Sequence, residues 1–167
     1  ERFANQTERL RKVQDDYLQE RLKNMEITNC KTIPTLDESF PELEIENVDR
    51  MALWKGDITK IEADCIVNAA NSKALGCFQS MHNCIDNQIQ TYSGVQMRLE
   101  CNDYMQSANY EMGLPTGEVF LTQGYNLPAQ YVIHTVGPVI SFNVTEEDKD
   151  LLKACYTNSL KLAAQKA

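Results

Sequence analysis

The chain has 167 residues, enough for one compact domain with a small appendage. Its hydrophobic fraction of 43% is ordinary for a soluble globular protein. A net charge of −8, from 24 acidic against 16 basic residues, argues against a broad nucleic-acid surface, which needs clustered Lys and Arg. No apolar run approaches the about 18–20 residues of a membrane span and no signal-peptide core is visible, so no membrane role is expected. Six cysteines, at 30, 65, 77, 84, 101 and 155, show no dense spacing, so a disulfide framework is not expected at this size and a reducing, cytoplasmic setting is. Glu1 stands where an initiator Met would, so a trimmed end is expected.

Residues 1–24 are polar and charged, with Phe3, Leu10, Val13, Tyr17, Leu18 and Leu22 spaced mostly by three and four. This predicts a helix with one narrow apolar stripe, packed on the main domain or extending from it. Residues 35–48 are acidic and carry Pro41, which predicts a loop or a short helix starting near Asp37 as N-cap. Residues 24–49 are read as the joint between appendage and domain.

A strand is predicted over 51–55, followed by the turn Gly56-Asp57-Ile58-Thr59 and a second strand over 63–68. Within it Cys65-Ile66-Val67 reads as covered on both faces. After Cys84, the positions Ile85, Ile89, Tyr92, Val95 or Gln96, and Leu99 predict one amphipathic helix to about Met105, with Asn83 as N-cap. Residues 106–116 read as loop. Residues 117–123 alternate through Val119 and Leu121, and 131–136 form another β-rich run stopped by Gly137-Pro138. A closing helix is predicted over 146–167, with Leu151, Leu152, Cys155, Leu160 and Leu162 inside. Strands alternating with helices define an α/β layered sheet of about four strands.

Between the strand at 63–68 and the helix after it lie Cys77, His82 and Cys84, three soft or borderline metal ligands within eight residues. Thiolate with imidazole favours zinc over magnesium or calcium, and three protein ligands leave a position free, as in catalytic zinc sites. Two blander readings stand beside this one: buried thiols with a loop histidine, or a structural site completed by Cys101. Asn71, Asp57 and Asp86 are each the type of residue that turns or helix starts use for purely local reasons. His134, inside an apolar strand, reads as a satisfied core histidine.

Gly56-Asp57-Ile58-Thr59, then Ile66-Val67-Asn68-Ala69-Ala70-Asn71-Ser72, resemble the opening of a macrodomain, the ADP-ribose-binding α/β/α module. Pro115-Thr116-Gly117 and residues 126–138 match its central region, and the similarity runs over about 53–167. The loop 75–87 resembles that of the zinc-dependent microbial subclass, often found beside sirtuin-type ADP-ribosyltransferases, which removes ADP-ribose from acidic side chains and commonly carries an N-terminal helical extension. The resemblance implies a three-layer α/β/α fold with a mixed central sheet over 49–167, preceded by an extension and joint over 1–48. It also implies that Asp57 and the Ile58 amide meet the adenine, that Asn71 holds the distal ribose, and that Asp86 lies near the reactive carbon. Asn71 and Asp86 are the catalytic candidates, and Cys77, His82 and Cys84 would hold Zn2+. The expected ligand is ADP-ribose or an ADP-ribosylated protein; nucleic acid is not expected. The rival expectation is a module that reads ADP-ribose without turnover, its zinc only bracing the loop. The sequence departs from the family at Gln90, where a His is usual, and shows no second phosphate-gripping loop. The C-terminal part of the fold is therefore expected to lie outside this chain, with a second chain or fragment completing it.

Overall fold

The computed structural model describes residues 2–79 and 81–166; Glu1, Ser80, Ala167 and the side chains of residues 2–5, that of Phe3 among them, lie outside what is described. The chain opens with α1 (Arg2–Lys23), followed by the two-residue strand β1 (Thr28–Asn29) and the single turn of α2 (Leu36–Ser39). The cap of α2 is Thr35, whose N–H donates to Glu38 at 3.1 Å, so Asp37 sits inside the first turn instead of capping it. Residues 51–55 do not form the expected strand. Their only pairing among the described residues is an isolated bridge from Ala52 to Thr35, because Leu53 and its neighbours lie on the surface without a sheet partner.

The strands β2 (Ile61–Glu62) and β1 form a small parallel pair that the sequence did not suggest. The main sheet is β3 (Cys65–Ala69), β5 (Tyr131–Thr135) and β4 (Val119–Gln123), in that spatial order. β3 runs parallel to β5, and β4 antiparallel to it, so the sheet is mixed. The register places Asn68 opposite His134 and His134 opposite Phe120, which puts all three side chains on one face. That face packs under α3 (Ile85–Ser93) and α4 (Val95–Ser107), where Ile66, Ile89, Met97, Cys101, Phe120 and Val132 form the core.

The opposite face is covered by α5 (Glu146–Ala164), which packs on β4 and β5 but reaches β3 incompletely. Val67 is consequently 43% exposed, so β3 is not covered on both faces as its apolar run suggested. α5 begins at Thr145, whose N–H donates to Asp148 Oδ2 at 2.8 Å while Asp148 N–H returns to Thr145 Oγ1 at 3.2 Å. Cys155 and Ser159 face inward with Leu151 and Leu162 half-buried beside them; Leu152 and Leu160, expected inside, face out, each one residue off that covered stripe.

The single helix expected over 85–105 is two helices. Gly94 breaks it at φ 98 and ψ 172, a conformation strained for any residue with a Cβ. The break rotates the buried stripe: Ile89 before it is continued by Met97, Cys101 and Met105, while Val95 and Leu99 turn outward. The N-cap of α3 is Cys84, whose Sγ accepts from Asn87 N–H at 3.4 Å. Asn83, expected there, instead accepts from Gln88 at 2.7 Å.

The break at Gly94 is also where α1 docks, and it docks through polar groups. Gln14 Oε1 accepts the Val95 N–H at 2.9 Å, capping α4 from a distant segment. Asp15 accepts from Asn126 Nδ2 and from Gln96 Nε2, both at 2.6 Å, and its charge suits the α4 N-terminus. The Arg21 guanidinium lies 3.5 Å from the Tyr92 ring centre, and Leu18 is the buried apolar anchor. Leu10, Val13 and Tyr17 of the expected apolar stripe face solvent instead. Replacing Asp15 by Ala removes a charged acceptor shared by two donors and is expected to cost about 2 kcal/mol. Urea denaturation reads that loss, and amide exchange should show α1 losing protection before β5.

Candidate active site and metal cluster

The site is assembled by the connection from β3 to α3. Ala70 N–H still bonds Thr135 O at 2.9 Å, so the chain leaves the sheet only at Asn71. The Asn71 side chain then organises the turn. Its Oδ1 accepts from the amides of Lys73 (3.0 Å) and Ala74 (3.1 Å), and its Nδ2 donates to Gly76 O (2.9 Å) and Asp86 Oδ2 (3.2 Å). One amide thus closes its own loop and ties that loop to the start of α3.

Gly76 is required where it stands. Its φ is +84, and a Cβ there would lie 2.8 Å from Gln90 Cγ, so the loop backbone rests directly on that buried side chain. Beyond it, Cys77 Sγ lies 3.3 Å from His82 Nδ1, and the ligand atoms of Cys77, His82 and Cys84 all fall within 4.8 Å of one another. Cys77 and Cys84 are half-buried and His82 is exposed. Asn87 holds the loop from the helix side, its Nδ2 donating to His82 O at 3.0 Å and Gln79 O at 3.4 Å. Three such donors are close enough to share one divalent cation, and two thiols with an imidazole are a soft set. His82 lines an open groove of about 530 Å³ with Asn83, Asn87 and Tyr92.

Cys101 takes no part in this cluster. It is fully buried on the core face, with Sγ 3.8 Å from both Gln90 Nε2 and His134 Nε2, and burial pushes its thiol up to about 12. A fourth protein ligand from Cys101 is ruled out by that position. Gln90 also turns inward and is 3% exposed.

Asp86 is 4% exposed, with its carboxylate directed at β3. Oδ1 accepts from Asn68 Nδ2 at 2.9 Å and Oδ2 from Asn71. Burial raises its pKa above the usual carboxylate range, against the lowering effect of Asn68 and the Arg98 charge. Behind Asn68 the polar chain continues across the sheet. Asn68 Nδ2 is 3.1 Å from His134 Nδ1, and His134 Nε2 is 2.9 Å from Thr122 Oγ1. Asn68 Oδ1 is buried and has no hydrogen-bond partner among the described residues, a situation that typically costs about 1–3 kcal/mol. Asn68, Thr122 and Asn87 were not singled out as site residues from the sequence. The signal for Asn68 and Thr122 was available as polar residues at inward positions of apolar strands.

Ile58 opens a 3₁₀ turn, Ile58–Lys60, that packs near α3, and Asp57 is its N-cap. Asp57 Oδ1 accepts from the Thr59 amide at 3.0 Å and the Thr59 hydroxyl at 2.7 Å. Partial burial raises the Asp57 pKa, but the Thr59 bonds and Lys60 outweigh it and hold the carboxyl below its ordinary value. Ile58 packs against the core. On the α5 side of the sheet, where α5 leaves β3 incompletely covered, a cavity of about 320 Å³ opens, lined by Val67, Ala69, Thr135, Ile85 and residues of α5.

A mixed sheet of β3, β5 and β4, with α3 and α4 on one face and α5 on the other, defines an α/β/α class of fold. Residues 67–167 match the family described as Macro domain, and the chain belongs to that family. It is 45% identical over 154 residues to a protein-ADP-ribose hydrolase of Treponema medium, covering 92% of this chain and 56% of that protein. It is 50% identical over 118 residues to the protein-ADP-ribose hydrolase of Staphylococcus aureus strain MSSA476, covering 70% of this chain and 44% of that protein. The Trypanosoma brucei macrodomain solved in complex with ADP-ribose superposes with a TM-score of 0.64 at 33% identity, covering 85% of this chain and 51% of that one. The chain therefore spans about half the length of the curated relatives it matches.

Complete burial drives the His134 pKa from 6.5 down to about 3. Between those values the unfolded chain binds a proton that the folded chain does not. Stability therefore falls as pH drops through the window, by up to about 1.4 kcal/mol per pH unit. Urea midpoints measured between pH 7 and 5 should decline, and more shallowly in His134→Gln. Asp86, raised above 3.8, acts in the opposite sense, so the difference between variant and wild type isolates His134.

Proposed function

We propose that this protein is a zinc-dependent hydrolase that releases mono-ADP-ribose from acidic side chains of a modified protein. The observation that carries this reading is the convergence of Cys77, His82 and Cys84, on a loop that Asn71 ties to the buried Asp86. Zn–S bonds are about 2.3 Å and Zn–N bonds about 2.0–2.1 Å, so ligand atoms within 4.8 Å of one another need draw in only slightly to share a single zinc ion. Zinc held there would supply Lewis acidity beside the ester. The relatives named as protein-ADP-ribose hydrolases support the reaction, and the trypanosomal macrodomain complex supports the ligand.

In this reading Asp57 and the Ile58 amide receive the adenine, and Asn71 and Asp86 orient the distal ribose and its reactive carbon. The reaction consumes one water, breaks one C–O bond and leaves a free carboxylate and ADP-ribose. A cytoplasmic, reducing setting keeps Cys77 and Cys84 from oxidising and so available as ligands. Residues 1–48 act as an extension that braces the macrodomain over 49–167.

A second reading, a reader of ADP-ribose with a structural zinc, draws on one observation: Asn71 and Asp86 spend their polar atoms on protein partners. His82→Ala separates the two. Elemental analysis of the wild type should give stoichiometric zinc, lost in the variant. Release of ADP-ribose from an ester-linked substrate should fall by roughly 10²-fold or more, the scale on which removing one charge-stabilising group acts. Zinc-loaded wild type that binds ADP-ribose in a calorimeter without turnover would instead establish the reader.

A further inference from the structure

The buried polar chain behind Asp86 is not explained by packing alone. Asn68, His134 and Thr122 occupy three inward positions of the sheet where an apolar side chain would fill the same space without an orphaned acceptor. Their hydrogen bonds fix one another's orientation. A carboxylate accepts only, so the atom of Asn68 facing Asp86 Oδ1 at 2.9 Å must be its NH2 group. The same nitrogen faces His134 Nδ1 at 3.1 Å, so its second hydrogen points there and Nδ1 must be the unprotonated ring nitrogen. The ring proton is then on Nε2, where Thr122 Oγ1 accepts it at 2.9 Å. The imidazole plane is held by stacking: Phe120 lies 4.8 Å from it at 16°, and Tyr104 lies 4.3 Å from Phe120 at 7°.

We propose that Asn68 and His134 are positioning residues for the hydrolysis: the Nε2–H tautomer of His134, whose ring proton Thr122 accepts, takes an Asn68 N–H at Nδ1 and so keeps the other Asn68 N–H on Asp86 Oδ1. With Oδ1 held from the sheet side, Oδ2 is left to face Asn71 and the loop that carries Cys77. The proposal rests on the role given to Asp86 above. It assigns a task to the first asparagine of the Asn68-Ala69-Ala70-Asn71 segment, and explains why an amide with an unpartnered buried oxygen is kept there. Rotating that amide by half a turn would set its oxygen against the Asp86 carboxylate and against the lone pair of Nδ1.

The test combines a spectroscopic and a kinetic readout. The 15N shifts of His134 in the wild-type full chain should show an unprotonated Nδ1 and a protonated Nε2; the reverse would overturn the proposal whatever the activity. In His134→Leu and Asn68→Ala, kcat for release of ADP-ribose from an ester-linked substrate should fall at least tenfold, with KM within twofold and zinc content unchanged. His134→Gln, whose amide oxygen can accept in place of Nδ1, should recover most of the kcat lost in His134→Leu. Should those variants fail to fold, Thr122→Val is the milder probe, and a mixed tautomer with a lowered kcat is expected. Folded variants with unaltered kcat, or with kcat lost only together with zinc, would overturn the positioning role while leaving the hydrolase reading in place. A wild type that releases no ADP-ribose would overturn both.

Discussion

A carboxylate that is almost completely withdrawn from water has to be met by donors, and this structure is arranged around meeting one. Asp86 enters the protein at the first turn of α3 and receives an amide from each side, Asn68 from the sheet and Asn71 from the loop. Those two asparagines lie three residues apart, one inside β3 and one just past its end, so the strand's exit from the sheet is what brings both within reach. The same Asn71 amide closes the turn before Gly76, and Gly76 rests on Gln90 one turn further along α3. The loop carrying Cys77 and His82 is therefore referenced to the helix that carries Cys84 and Asp86. A displacement of any one of them is felt by the others.

The rest of the fold supplies rigidity to that corner. Thr122, His134 and Asn68 cross all three strands of the main sheet in one row of side chains, within a core of Ile66, Val132, Met97 and Phe120. Polar groups in such a place are costly unless paired, and the bonds that Asn68 Nδ2, His134 and Thr122 make also limit their rotational freedom. From the other side α1 secures the start of α4 with Gln14 and Asp15, at the point where Gly94 breaks the helical path. The extension is thus a brace attached by hydrogen bonds, and its apolar residues Leu10, Val13 and Tyr17 are turned away from the body it braces.

The opposite face is built more loosely. α5 covers β4 and β5 but leaves Val67 partly exposed above a largely apolar cavity, with Leu152 and Tyr156 at its rim. The curated relatives are about twice as long as the match to this chain. The firm side of the molecule, where the loop meets α3, is the side on which the proposed chemistry is placed.

What the sequence alone determined was local. The apolar runs at β3 and β5, the turn at Gly56-Asp57, the helix after Cys84 and the grouping of Cys77, His82 and Cys84 each depend on neighbours within a few residues. Their residue types state those features directly. His134 was legible as a core residue because it interrupts a strand of otherwise apolar neighbours. Tertiary structure decided everything that depends on partners distant in the chain: the break at Gly94, which Gln14 and Asn126 stabilise; the polar docking of α1; the absence of a strand over 51–55; the inward turn of Gln90; and the separation of Cys101 from the loop thiols. No periodicity encodes those outcomes. Each hydrogen bond or contact that settles them joins residues whose proximity exists only once the sheet and its helices have packed.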